Sequence, residues 1–148
     1  MKIKVKKLHP DAKLPTYSTE GAGAFDIYSH PETEVSTVGI WYPLVVRTGL
    51  AFEIPDGHGL FVLSRSGHAF KNETRLSNSV GLLDSDYRGE LMVKLCRDAG
   101  DGRHLTVGPL ERIAQAVVLP LPRVFFEEVV ELEETERGEG GFGSTGVK

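Results

Sequence analysis

The sequence predicts an all-β fold, a sandwich, barrel or jelly roll, and three observations predict it. No long segment repeats its apolar residues at the 3.6-residue period of a helix. About ten short runs have the length and composition of strands, and turn residues separate them. The 148 residues suffice for one domain with a real hydrophobic core, and neither an internal repeat nor a second domain is evident.

Lys2 to Leu8 sets lysines against Ile3, Val5 and Leu8, as a strand with one wet face does. His9 to Pro15 is a loop. Thr19 to Gly23 bends into a short strand, Ala24 to Ser29, with Phe25 and Ile27 on one face and Asp26 on the other. Asp26 is then either a solvated outward acid or an acid aimed into a site. Pro31 to Gly39 is polar connection. Trp41 to Val46 and Thr48 to Ile54 read as two strands, the second stopping at Pro55-Asp56-Gly57, where proline's fixed φ and glycine's freedom make a turn. Gly59 to Leu63 is another strand. Ser64 to Asn72 breaks the alternation and holds a single helical turn at Ala69 and Phe70.

Leu76 to Glu90 and the run Leu91 to Leu95 read together as a β-hairpin: an apolar arm, Val80 to Leu83, an acid-rich bend closing on Gly89, and a second arm. His104 to Val107 leads through Gly108-Pro109 to a buried strand over Ile113 to Leu119, in which Gln115 is the one polar residue and needs a partner. Val124 to Leu132 is a last strand with acids on its outer face. Thr135 to Gly146, glycine-rich around one phenylalanine and one arginine, is a mobile segment without a core of its own.

A formal net charge of −4 argues against a surface that coats nucleic acid, yet a small polyanion is compatible with it if a few arginines, backbone amides and a divalent cation cancel its charge. No run approaches the roughly 18 apolar residues of a membrane span, and the alternating first residues do not lead into a signal-peptide core. The expectation is a soluble cytoplasmic protein, or one of the host cytoplasm if the chain is viral. The single cysteine, Cys96, fits a reducing compartment and sits in a strand pattern, not in a catalytic setting. His9, His30, His58, His68 and His104 show neither HxH nor HExxH spacing, which argues against a protein-built zinc site.

Three stretches carry candidate chemistry. In the first, Gly81 inside a strand marks close approach of a ligand or another backbone, Asp84 at the end of the arm is placed to orient and deprotonate a water, and Tyr87 can lie flat on a ring. The same residues also describe an ordinary turn with solvated acids. In the second, Arg65-Ser66-Gly67 offers a forked cation, a hydroxyl and an uncluttered amide, which suits phosphate oxygens and is also a common surface loop. The third is the glycine-rich tail, either a disordered end or a lid that orders on a ligand.

Five blocks in order, Ala22 to Ser29, Arg65 to Gly67, Asn78 to Glu90, Arg112-Ile113-Ala114-Gln115 and Arg137 to Gly146, resemble the signature motifs of the trimeric dUTP pyrophosphatase (dUTPase) family and extend over nearly the whole chain from Ala22. The resemblance implies a jelly-roll homotrimer with three active sites between subunits, made of a β domain over residues 1–134 and a C-terminal arm over residues 135–148. It implies Mg2+-dependent cleavage of dUTP to dUMP and pyrophosphate, which keeps uracil out of DNA and supplies dUMP for dTMP synthesis, with no nucleic-acid or membrane partner.

By the same resemblance the hairpin reads uracil through its backbone and Asn78, and rejects thymine's methyl by close backbone packing about Gly81. Tyr87 underlies the deoxyribose and excludes a 2′-hydroxyl. Asp84, preferred over Asp86, activates the water that attacks the α-phosphorus, and Asp26 is an outer-shell Mg2+ carboxylate acting through water. Arg65, Ser66, Gly67 and Gln115 face the phosphates. In the arm, Phe142 stacks on uracil while Arg137, Ser144 and Thr145 reach the phosphates. Ser64 departs from a frequent proline, His68 from a small or apolar residue, and Leu110 from a frequent turn glycine; His68 is expected to be an exposed histidine. Two other readings are a dCTP deaminase relative on the same fold and a nucleotide-sensing regulatory binder.

Overall fold

The computed structural model describes residues 1–37, 43–98 and 103–141. Within them the chain forms β1 (Lys4–Lys7), β2 (Phe25–Tyr28), β3 (Val35–Ser36), β4 (Leu44–Glu53), β5 (His58–Leu63), α1 (Ser66–Asn72), β6 (Thr74–Leu76), β7 (Val80–Leu83), β8 (Glu90–Arg97), β9 (Thr106–Val107) and β10 (Arg112–Pro120). The strands make two four-stranded sheets, β1-β4-β8-β6 and β2-β10-β5-β7, and a small pair, β3-β9. The all-β expectation holds, and the physical reason is the two-residue period. Leu91, Val93 and Leu95 of β8 point inward while Met92 and Lys94 face out, and Cys96 lies in this strand as expected. Val46, Leu50 and Phe52 from the first sheet meet Ile27, Leu60, Val62, Ala114 and Ala116 from the second in one core.

Four expectations change. The two strands foreseen on either side of Arg47 are one strand, β4, whose register against β8 shifts between Arg47 and Ala51. Gly49 sits at this bulge with φ +70, and Glu90 secures it, one carboxylate oxygen accepting the Gly49 N–H at 2.7 Å and the other the Arg47 Nε–H at 2.9 Å. Trp41 and Tyr42, where the first strand was to begin, lie outside the described residues.

The hairpin is not a paired hairpin. β7 pairs with β5 and β8 with β4 and β6, so the bend from Asp84 to Gly89 carries the chain from one sheet to the other. Alternation reveals a strand's faces but not its partner, hence the misreading. Val124 to Leu132, expected as a strand, forms none: Phe125, Phe126, Val130 and Leu132 stand 85, 97, 101 and 85% exposed. The segment has a strand's composition, but no edge of its own chain pairs with it.

The helical turn expected at Ala69 and Phe70 is the longer α1, capped by Glu73 in the left-handed region. Among the described residues no helix is long and apolar enough to cross a membrane.

Candidate active site

Register lines up the site. Asp26 on β2 pairs with Gln115 on β10, Gln115 with Leu63 on β5, and Leu63 with Val80 on β7, so one row crosses the whole sheet. Paired residues share a face, and this row lies on the face away from Ala114, Ala116 and Val62, which fill the core. The chain leaves β5 directly into Ser64, Arg65, Ser66 and Gly67, and enters β7 from Asn78 and Ser79. Arg65, Gln115 and Asp26 are thereby brought to one end of one sheet.

Asp26 is the centre of a polar cluster. Only 7% exposed, its carboxylate accepts the Ser18 hydroxyl at 2.6 Å, Arg65 Nε at 3.0 Å and Arg112 Nη1 at 3.3 Å. Burial by itself would raise its pKa. The Ser18 hydrogen bond, the Arg65 charge and the bonds from Arg65 and Arg112 outweigh that and hold the carboxyl below the ordinary aspartate range. The alternative of a solvated outward acid is therefore replaced by a buried, paired one. A carboxylate has about four lone-pair positions, and three are taken here. The one remaining on Oδ1 suits a water of a hydrated cation better than a bare cation, which two guanidiniums would repel.

Arg65 is held at both ends of its fork, with Nη1 on the Arg112 carbonyl at 3.1 Å. Ser66 and Gly67 begin α1 and are exposed. The Gln115 amide donates to the Ser64 carbonyl at 3.0 Å, the satisfied arrangement, and so fixes the exit of β5 from which Arg65 projects. Ser64, in the place of the family's proline, accepts the Leu76 N–H on its hydroxyl at 3.0 Å and ties β5 to β6. Leu110 adopts φ +52, the conformation a glycine would take without strain.

The other half of the candidate site lies along β7. Among the described residues this strand pairs only with β5, so its outer edge presents backbone donors and acceptors. Gly81 is packed against β5, where an added Cβ would stand 3.3 Å from the Val62 Cβ and 3.6 Å from Asn78 Nδ2. Past the strand, Asp84 is exposed, and its carbonyl accepts the Tyr87 N–H at 3.2 Å. The Tyr87 hydroxyl donates to the Glu90 carbonyl at 3.1 Å and the ring covers Gly89, which has no room for a Cβ. Leu82, Leu83, Asp84, Tyr87, Glu90, Leu91 and Met92 line a shallow cleft of about 210 Å³.

The two halves do not meet within one chain. Asp84 is four positions beyond Val80, roughly 13 Å along the strand, and Val80 is three strand spacings, roughly 14 Å, from Asp26. The diagonal is roughly 20 Å, several times the reach of a single phosphoanhydride bond. Arg137 is held in a local turn, its Nε donating to the Gly140 carbonyl at 2.7 Å. Phe142, Ser144 and Thr145 lie outside the described residues. Sequence reasoning missed Ser18 and assigned Arg112 no role; Arg112 sits in the fourth signature block and was legible there, whereas Ser18 lies in a loop and carries no signal.

His68 corrects an expectation as well: its side chain is 12% exposed, turned toward Glu111 with Nε2 3.7 Å from Oε1. Away from this site the fold gathers His9, His30 and Glu32, which no sequence spacing announced. His9 Nδ1 accepts the Asp11 N–H and His30 Nδ1 the Glu32 N–H, each at 3.2 Å. Nε2 of His9 lies 3.6 Å from Glu32 Oε1.

Comparison with known proteins bears on this arrangement. The dUTPase family model matches residues 10–146. The deoxyuridine 5′-triphosphate nucleotidohydrolase of Nautilia profundicola is 42% identical over 146 residues, covering 99% of both chains. That of Helicobacter hepaticus is 44% identical over 147 residues, covering 99% of this chain and 90% of its own. Among solved structures, a Staphylococcus bacteriophage 80alpha dUTPase with dUpNHpp superposes with a TM-score of 0.85 at 26% identity and 99% coverage of each chain. A phage phi11 dUTPase described as revealing the coordination of a structural Mg(II) ion, 20% identical, shares the fold with a TM-score of 0.78 over 90% of this chain and 100% of its own. Two sheets enclosing one core, signature blocks in order along the sequence and a family match over nearly the full length agree: the chain belongs to the dUTPase family.

Proposed function

We propose that this chain hydrolyses dUTP to dUMP and pyrophosphate in sites that copies of the chain, assembled as a homotrimer, build jointly. The observation that carries the joint site is the roughly 20 Å between Asp84 and the Asp26–Arg65 cluster on the same sheet face. One copy supplies the base-reading half and its neighbour the phosphate-facing half. The unpartnered segment with Phe125, Phe126 and Val130 exposed supports assembly, since apolar surface of that kind calls for a covering chain.

In this reading uracil lies along the open edge of β7 and is read by its backbone groups and by Asn78. A site built to hydrogen-bond the uracil edge leaves buried groups unpaired when cytosine enters, a penalty of about 10^4 or more. Close backbone packing leaves thymine's methyl no space, and Tyr87 under the sugar excludes the 2′-hydroxyl. Asp84 accepts a proton from the water as its oxygen bonds to the α-phosphorus. The bond from that phosphorus to the bridging oxygen breaks, and its electron pair leaves with pyrophosphate. Holding the water in line with the α-phosphorus supplies much of the effect.

Arg65, Ser66, Gly67 and Gln115 offset charge on the departing phosphates. Mg2+, when bound, neutralises the triphosphate, which supplies most of its ligands, and Asp26 Oδ1 is the protein atom suited to one of its waters. Residues 135–148 form the closing arm, with Phe142 over uracil and Arg137, Ser144 and Thr145 at the phosphates.

Incubation with dUTP, dCTP, dTTP and UTP in the presence of Mg2+, with products identified by mass, tests the reading. Conversion of dUTP alone to dUMP is expected; deamination of dCTP, or an inert protein, would overturn it. The relatives named nucleotidohydrolases favour hydrolysis over the deaminase and sensor readings.

A further inference from the structure

His68 follows Arg65-Ser66-Gly67 directly, and the family's small or apolar residue at this place would not do what this ring does. Its Nδ1 is, among the described residues, the one buried side-chain polar atom without a hydrogen-bond partner. A buried nitrogen left unpaired destabilises a fold, so the ring's retention asks for a compensating use. Its other nitrogen supplies one, 3.7 Å from Glu111 Oε1.

Glu111 is the brace of the turn that opens β10. Its Oε2 accepts the Gly108 N–H at 2.9 Å, its own N–H donates to Ser29 Oγ at 2.9 Å, and Ser29 Oγ donates to the Gly108 carbonyl at 2.7 Å. The next residue, Arg112, receives Arg65 Nη1 on its carbonyl and reaches Asp26 with its own side chain. The segment Arg65 to His68 therefore meets the β10 turn at two places, through the hydrogen bond of Arg65 to the Arg112 carbonyl and through the longer, 3.7 Å approach of His68 Nε2 to Glu111 Oε1.

We propose that His68 is a positioning residue: with Glu111 it fixes the Arg65–Gly67 segment against the start of β10 and so sets the affinity of this chain for the β- and γ-phosphates of its nucleotide. This rests on the dUTP reading above. Removing one of two tethers leaves Arg65 in place but widens the range of backbone positions open to Ser66 and Gly67, and the loss falls on the distal phosphates.

The test compares Kd for dUMP and for dUpNHpp with Mg2+, by calorimetry on the assembled protein. His68→Leu keeps the packing volume and removes both nitrogens; it is expected to weaken dUpNHpp about tenfold while dUMP stays within about twofold. His68→Gln, which returns a donor near the position of Nε2, is expected to recover most of the loss. Equal weakening of both ligands, no weakening, or a glutamine variant no better than leucine would overturn the proposal. Should the leucine variant fail to fold, Glu111→Gln, which leaves the ring in place and removes the charge it faces, is held to the same comparison. A wild-type protein that binds dUpNHpp no better than dUMP would instead overturn the dUTP reading itself.

Discussion

Replacing Asp26 with asparagine removes one charge from a cluster of three, and the structure sets the scale of the effect. The Arg65 side chain is 19% exposed and loses the carboxylate on its Nε, whereas Arg112, 48% exposed, can turn to water. Breaking a buried pair costs about 3–5 kcal/mol and an exposed one about 0.2–1 kcal/mol, and asparagine retains one acceptor, so Asp26→Asn should cost about 2–3 kcal/mol at pH 7. The pH dependence follows from the lowered pKa. A carboxyl whose folded-state pKa lies below its unfolded value contributes stability that is present above the unfolded value, near 3.9, and is lost as pH falls through the folded one. Urea unfolding at fixed protomer concentration should therefore give a gap between wild type and variant that is constant from pH 7 to about 5 and narrows below about 4. A gap under about 0.5 kcal/mol at pH 7, or one undiminished at pH 3, would refute the assignment of Asp26 as the ionised holder of Arg65.

Three further outcomes are expected. Asp84→Asn should lower kcat by about 10^2–10^4 while dUpNHpp affinity changes little, as separate turnover and calorimetry measurements would establish. Leu110→Gly should raise stability by about 1 kcal/mol, because Leu110 holds φ +52 against its own side chain; thermal unfolding reads this directly. Phe126→Asp together with Val130→Asp should lower the sedimentation coefficient toward that of a single copy and abolish turnover in parallel, with the circular dichroism of the β fold retained.

Much of this architecture was legible because each strand needs only a period of two to declare its faces. β10 is the clearest case, with Ala114 and Ala116 in the core and Gln115 between them on the opposite face. What alternation does not carry is the partner. The break read at Arg47 was real, but it is a bulge within β4, closed by Glu90 some forty residues later. The run from Val80 to Leu95 displayed two strands correctly and their pairing wrongly. Val124 to Leu132 has a strand's pattern and no edge in its own chain to join.

The site divides in the same way. Short motifs single out Arg65, Asp84 and Gln115 as candidates. The contacts that place Asp26, from Ser18, Arg65 and Arg112, span 8, 39 and 86 positions and follow from the topology alone. His68 was misjudged as exposed because a helix of seven residues gives too little pattern to show which side faces Glu111.

The central claim is that a water aimed by Asp84 attacks the α-phosphorus, and the position of isotope tests it most directly. Turnover of dUTP by the assembled protein in water enriched with oxygen-18, followed by mass analysis of both products, should place one heavy oxygen in dUMP and none in pyrophosphate. Label in pyrophosphate would put the attack on the β-phosphorus and contradict the account.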